Sequence, residues 1–297
     1  EETAPVAEQQ QPADASGKVF SPMVRIVQLR GACEANNPDT GAYAAAVDNK
    51  VYPLGTQFKT GPDGSATLVF SRQESVQVFA STELTVLPSE KDADNRTVRL
   101  LSGKVRTNLR ENLPEGSFNI ETPHAASKSI EGRGEYALSS DANVETLVIK
   151  TITGAAQIEG PQYRIPALRA ANTVDIQTSL DRSFTRLSSV SGDFAILLDN
   201  GESEPVNYGM SPKAVVKIWR ENAPVGGRAV ISTLVVSPNG IARHRFAYAE
   251  GRAEVATGEL VAPGGDDKAE EDLPVLLSTE PKTEQKAGAE KEKDADQ

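Results

Sequence analysis

The sequence is short of the side chains on which most site chemistry depends. In 297 residues it has one cysteine, two histidines, two methionines and one tryptophan, and aromatic residues make up 5%. A single cysteine excludes an intrachain disulfide, and with two histidines it leaves too few ligands for a zinc cage or a haem-type site. Long apolar runs are missing too, for no stretch approaches the roughly 18 to 20 residues of a membrane span. Phosphate cradles are absent, because Gly226-Gly227 lacks a following Lys-Ser/Thr, and Lys91-Asp-Ala-Asp-Asn95 lacks the central glycine and final glutamate of a calcium loop. Asp63, Asp92, Asp94 and Asp141 are scattered, so no metal and no cofactor is expected.

A basic surplus is also lacking. There are 31 Lys and Arg against 42 Asp and Glu, a net charge of -11. Residues 1–17 hold four acids and no base, residues 263–297 hold eleven acids and five lysines, and residues 18–262 are left near neutrality at -1. Such a body has no clustered basic face to neutralise phosphates, which excludes a nucleic-acid footprint. Both ends are compositionally disordered, too poor in apolar surface to offset ordering entropy. Within the second lies an apolar island, Leu273-Pro-Val-Leu-Leu277, that reads as a docking motif, an added edge strand or a sticky fleck in a solvated tail.

The chain begins with Glu1 and has no basic or apolar leader, as expected of an exported chain after signal-peptide removal or of a trimmed one. Leu29-Arg-Gly-Ala-Cys33 resembles a lipoprotein cleavage site only superficially, since Arg30 interrupts it and no apolar run precedes it. Cys33 reads as a small, semi-buried strand residue.

Between Lys18 and Ala262 the chain is written in short β-branched runs that alternate with polar residues. Ala66–Phe70, Ser75–Phe79, Thr82–Leu87, Thr97–Leu101, Lys104–Leu109 and Ser117–Glu121 follow one another closely, and Glu145–Ile152, Ala155–Ile158 and Thr173–Ile176 continue the series. Many short strands at this spacing specify an all-β fold, an antiparallel β-sandwich, β-roll or short solenoid. Gly61-Pro62-Asp63-Gly64 has the chemistry of a type I turn, and Ser237-Pro238-Asn239-Gly240 repeats it between Ala229–Val236 and Ile241–Tyr248, predicting a hairpin. Ser211–Glu221 fits a helix capped by Ser211 with Pro212 at its first position, and equally fits a strand through Val215, Val216, Ile218 and Trp219.

These runs resemble, in ordered motifs, the FecR-like periplasmic domain family, first recognised in iron-dicitrate signalling proteins of the bacterial cell envelope. The family's opening segment is matched by Leu54-Gly-Thr-Gln-Phe-Lys-Thr-Gly-Pro-Asp-Gly-Ser-Ala-Thr-Leu-Val-Phe70. Its Leu-x-x-Gly-x-Val step is matched by Leu100-Leu-Ser-Gly-Lys-Val105, its Thr-Pro step by Phe118-Asn-Ile-Glu-Thr-Pro-His-Ala125, and its closing strand-Gly-strand by Leu147–Ile158. Gly132-Arg-Gly-Glu-Tyr136 keeps that family's Gly and aromatic residue without the intervening Thr. The resemblance covers about residues 24–176. Its signalling members join the domain to a cytoplasmic helical segment and a membrane span that this sequence does not show, so a free-standing envelope protein that borrows the domain is expected.

The reading divides the chain into a disordered segment 1–17, a FecR-like β domain 18–180, a smaller second β unit 181–262 and a disordered tail 263–297, with Arg182–Gly192 as the join. Gly55, Gly61, Pro62, Asp63, Gly64, Gly103, Thr122, Pro123, Gly154, Pro238, Asn239 and Gly240 read as structural turn positions: the glycines for positive φ or close backbone approach, Pro123 as a strand end without a ladder donor. No catalytic residue is assigned. His124 and His244 are the only imidazole bases, and neither stands near a Gly-x-Ser-x-Gly elbow. The expected function is a non-catalytic binding, scaffolding or sensory-relay module, exported to the periplasm or outer envelope of a Gram-negative-type bacterium. Its expected partner is an envelope protein bound along exposed strand edges. The alternative is a polysaccharide-acting enzyme or lectin, which needs carboxylates or aromatics converging in a groove.

Overall fold

The computed structural model describes residues 23–87, 96–109, 118–198, 205–221, 229–238, 240–249 and 252–261; the two ends whose composition predicts disorder, the apolar island and Asn239 lie outside them. Among the described residues every regular element is a strand. The chain runs through β1 (Met23–Arg30), β2 (Cys33–Asn36), β3 (Tyr43–Ala45), β4 (Val51–Pro53), β5 (Gln57–Thr60), β6 (Ser65–Val69), β7 (Glu74–Val78) and β8 (Glu83–Leu87). Three longer strands form its centre, β9 (Arg96–Leu109), then after β10 (Phe118–Glu121) the hairpin of β11 (Ala126–Ser140) and β12 (Val144–Gly160). The remainder is β13 (Tyr163–Arg169), β14 (Thr173–Ser179), β15 (Phe184–Ser191), β16 (Phe194–Leu198), β17 (Val206–Met210), β18 (Val215–Arg220), β19 (Ala229–Ser237), β20 (Gly240–Ala249) and β21 (Arg252–Val261).

The pairings resolve into two ladders that share the three long strands. One runs β4-β1-β6-β7, through the C-terminal halves of β9 and β11 and the N-terminal half of β12, to β14-β15-β18-β19-β20-β21. The other runs β3-β2-β5-β8, through the N-terminal half of β9, β10, the N-terminal half of β11 and the C-terminal half of β12, to β13-β16-β17. All pairs are antiparallel except β9 with β10, which run side by side in the same direction.

Each long strand changes sheet at a glycine in left-handed backbone: Gly103 at φ 88°, Gly132 at φ 92° and Gly154 at φ 74°. This corrects the sequence expectation of separate strands at 97–101 and 104–109, and at 145–152 and 155–158. The glycine bends the strand instead of ending it, because it reaches a φ that other residues adopt only with strain. Threonines satisfy the backbone at the bends. The buried Thr82 hydroxyl accepts from the Lys104 N–H at 2.9 Å and donates to the Lys104 carbonyl at 3.1 Å. The Thr107 hydroxyl accepts from the Gly134 N–H at 3.0 Å, and that of Thr153 from the Arg133 N–H at 3.1 Å.

The inner faces of both ladders contribute to one apolar cluster, with Ile26, Leu68, Val105, Ile149, Ile176 and Val216 from the first and Phe58, Leu84, Phe118, Ile158, Ile165 and Ile196 from the second. Phe70, just after β6, meets Phe118 edge to face with ring centres 5.4 Å apart. Burying each large side chain here contributes about 1.5 to 3 kcal/mol, so alternation in sequence becomes a two-layer core. The segment 211–221 is strand from Val215 onward, with Trp219 opposite Phe184. The stretch expected as a join, 182–192, is mostly β15, which pairs with β14 and β18 on its two sides.

Candidate functional site

The structural turn positions do not converge, and each one that is described has a local reason for its residue. Gly61 to Gly64 closes with the Gly64 N–H donating to the Gly61 carbonyl at 3.0 Å. A Cβ on Gly64 would stand 2.0 Å from the Ala32 carbonyl oxygen, so close approach, not positive φ, requires glycine there. Asp63 accepts from the Ala32 N–H at 3.4 Å. Gly55 and Gly240 have positive φ, and the predicted hairpin through Pro238 joins β19 to β20 with Val236 opposite Ile241. Thr122 and Pro123 end β10, where the Thr122 hydroxyl accepts from the Ala125 N–H at 3.1 Å and fixes a tight turn.

That turn carries His124 to the mouth of an open cleft of about 700 Å³. Residues 123–126 and 159–162 form one side; Thr178, residues 182–185, Ile218, Trp219 and Ile231 form the other. His124 Nε2 stands 3.6 Å from Glu145 Oε1, and the two side chains are 12% and 8% exposed. Burial holds the imidazole below its ordinary pKa of 6.5, and the positive charge of Arg182 adds to the effect. Burial pushes the Glu145 carboxyl above its ordinary range against an opposing hydrogen bond from Ser140. Glu159, on the cleft wall, is paired with Lys128 at 3.0 Å. Gly160 lies against Tyr163, whose buried hydroxyl has no hydrogen-bond partner; a Cβ on Gly160 would come within 2.1 Å of that ring.

At 3.6 Å Glu145 is too far to hydrogen-bond the imidazole, and among the described residues no serine, threonine or cysteine is hydrogen-bonded to His124, so no nucleophilic triad is assembled there. Cys33 is buried on β2 and its thiol is pushed up to about 11, chiefly by burial, so it is held protonated. The backbone of His244 pairs with Thr233 and Gly258, away from His124 in sequence and partners. Among the described residues no three His, Cys, Asp or Glu side chains are grouped to hold a metal ion, and no helix is long and apolar enough to cross a membrane. Sequence reasoning weighed His124 as an imidazole base and set it aside, and it did not reach the residues around it. Arg182 and Trp219 had no signal, because β14–β15 and β18 reach the cleft only through pairings between distant segments.

Strand edges form a second kind of surface. Among the described residues β3, β4, β17 and β21 pair on one side only. β3 is three residues long, β4 contains Pro53, and β21 carries Arg252, Glu254 and Glu259. β17, Val-Asn-Tyr-Gly-Met, has neither charge nor proline to discourage another strand.

The family model described as FecR protein matches residues 56–157, the stretch that contains the Gly61–Gly64 turn, the bends at Gly103, Gly132 and Gly154, and the Thr122-Pro123 strand end. No curated protein and no solved structure shows significant similarity to the chain.

Proposed function

Residues 56–157 are a FecR-like domain, and from that premise we propose that the chain is a non-catalytic binding module of the bacterial cell envelope, of the sensory-relay kind that this domain indicates. It is exported and works in the periplasm or at the outer envelope of a Gram-negative-type cell. The edge of β17, which among the described residues pairs as a strand only with β16, is the observation that carries the reading. A partner segment laid beside it adds a strand to the ladder, and its alternate side chains extend the row of Val206, Tyr208 and Met210 on the core-facing side.

A photo-crosslinking residue placed at exposed Asn207 in the full chain, in Gram-negative cells, tests this. The expected result is an adduct with one envelope protein that is absent when the crosslinker stands at Val190, an exposed residue of β15. No adduct at Asn207, or equal adducts at both positions, removes the strand-edge reading. Recovery of shortened glycan in its place reverses the ranking in favour of a polysaccharide-acting enzyme.

A further inference from the structure

Beyond β12 the two ladders are unequal in width. Among the described residues the first goes on through six strands, β14, β15, β18, β19, β20 and β21, and the second through three, β13, β16 and β17. Counted outward, β17 shares its place with β18, and β19, β20 and β21 have no counterpart in the second ladder. A strand with no layer over it has no reason to be apolar on its inner side. These strands are apolar there all the same. Val216 and Ile218 of β18 belong to the core, and opposite them on β19 stand Val235 and Thr233; opposite Val235 on β20 stands Ala242. The register continues these rows into β21, with Leu260 opposite Ala242, and with Ile231, Phe246 and Val255 in one row. On the other side of β20, Arg243 and Arg245 are exposed.

The core also ends on this side in residues that are only half-buried. Tyr208 of β17, Ile231 of β19 and Ala242 of β20 each pack against the apolar cluster and each keeps part of its surface open. A strand added beside β17 takes the fourth place in the second ladder, the place that β19 holds in the first, so its inner side chains meet that apolar side. A charge on that side would enter the margin of the core without a partner, and a helix or a glycan cannot continue the ladder. We propose that β17 and the inner side of β19 and β20 together receive one extended segment of a partner polypeptide, apolar at alternate positions and uncharged on that side. β17 holds its main chain, and β19 and β20 receive its apolar side chains. The proposal rests on the reading of β17 as a strand-accepting edge and adds to it a second wall and the chemistry of the partner.

The probes are a peptide of alternating threonine and valine with a lysine at each end, and its isomer with the threonines and the valines in separate blocks. Each is labelled with a dye and titrated into the full, unsubstituted chain by fluorescence anisotropy. The alternating peptide is expected to bind saturably, and its isomer at least tenfold more weakly. Equal binding of the two, or no saturable binding, overturns the proposal, while the cellular adduct from Asn207 remains the test of the edge itself. A small diazirine side chain at Asn207, Ala242 or Arg243 then locates the bound peptide. Capture is expected from Asn207 and Ala242 and not from Arg243, the next residue and on the opposite face. Capture from Asn207 alone, or from Arg243 as much as from Ala242, overturns the second wall and leaves the edge reading standing; capture from none of the three overturns both.

Discussion

Asp175 is a carboxylate on β14 placed where a charge is poorly served. One of its oxygens is buried without a hydrogen-bond partner, and burial lifts its pKa above the ordinary 3.8 against the pull of Arg186 and Gln177. Because the folded pKa is the higher one, the ionised form costs stability at neutral pH, and this cost disappears as the pH falls through the raised value towards 3.8. Asp175→Asn is therefore expected to unfold at a higher urea midpoint than the parent at pH 7. Its advantage should vanish below about pH 3, where the aspartate is protonated in the folded and the unfolded chain alike. A variant less stable at pH 7, or an advantage that does not change with pH, contradicts this account. At this scale the sequence was partly readable. Glycine at 64 could be assigned to a turn from Pro62 and Asp63, but its neighbour, the Ala32 carbonyl, lies 32 residues back and leaves no mark on the local pattern.

At the scale of elements, alternation located β6 to β10, β12, β14, β19 and β20, but it missed the length of the long strands and named no run at β11. Runs of five and six residues on either side of Gly103 look like two strands, since a break and a bend both call for glycine. The difference lies in the hydroxyl of Thr82, which takes up the N–H and carbonyl of Lys104 so that the ladder continues around the corner. A Cβ on Gly103 would meet Thr82 Oγ1 at 2.4 Å and Thr82 Cα at 2.5 Å, in addition to the strain of a φ of 88°. Gly103→Ala is expected to lose about 2 to 4 kcal/mol in urea denaturation, since strained backbone and displaced core atoms add. A loss below about 1 kcal/mol, within the ordinary range for a mild substitution, shows that the bend relaxes without glycine. The segment 211–221 was undecidable for a related reason: Val215, Val216 and Ile218 suit either state, and what selects strand is the partner on each side, β15 and β19.

For the whole molecule, the two ladders and their single apolar cluster tie the FecR-like region to the strands that follow it, through β12 with β14 and β13 with β16. Heating the full chain is expected to give one transition, with Trp219 emission and far-ultraviolet circular dichroism changing together. Two separated midpoints mean that the strands after Ser179 fold as a unit of their own. The cleft, assembled from five separate segments, was the least legible feature, because a linear pattern records which face a residue takes and not which turns meet. The three strands that pass from one sheet to the other also govern how this chain can change in length. One residue inserted in β11 before Gly132 would exchange core and solvent positions in one sheet while leaving the register of the other intact, so the two could no longer close over a common interior. Insertions and deletions are therefore confined to the turns and to the outermost hairpins. There the chain can be lengthened a pair of strands at a time, and the central bends keep their spacing.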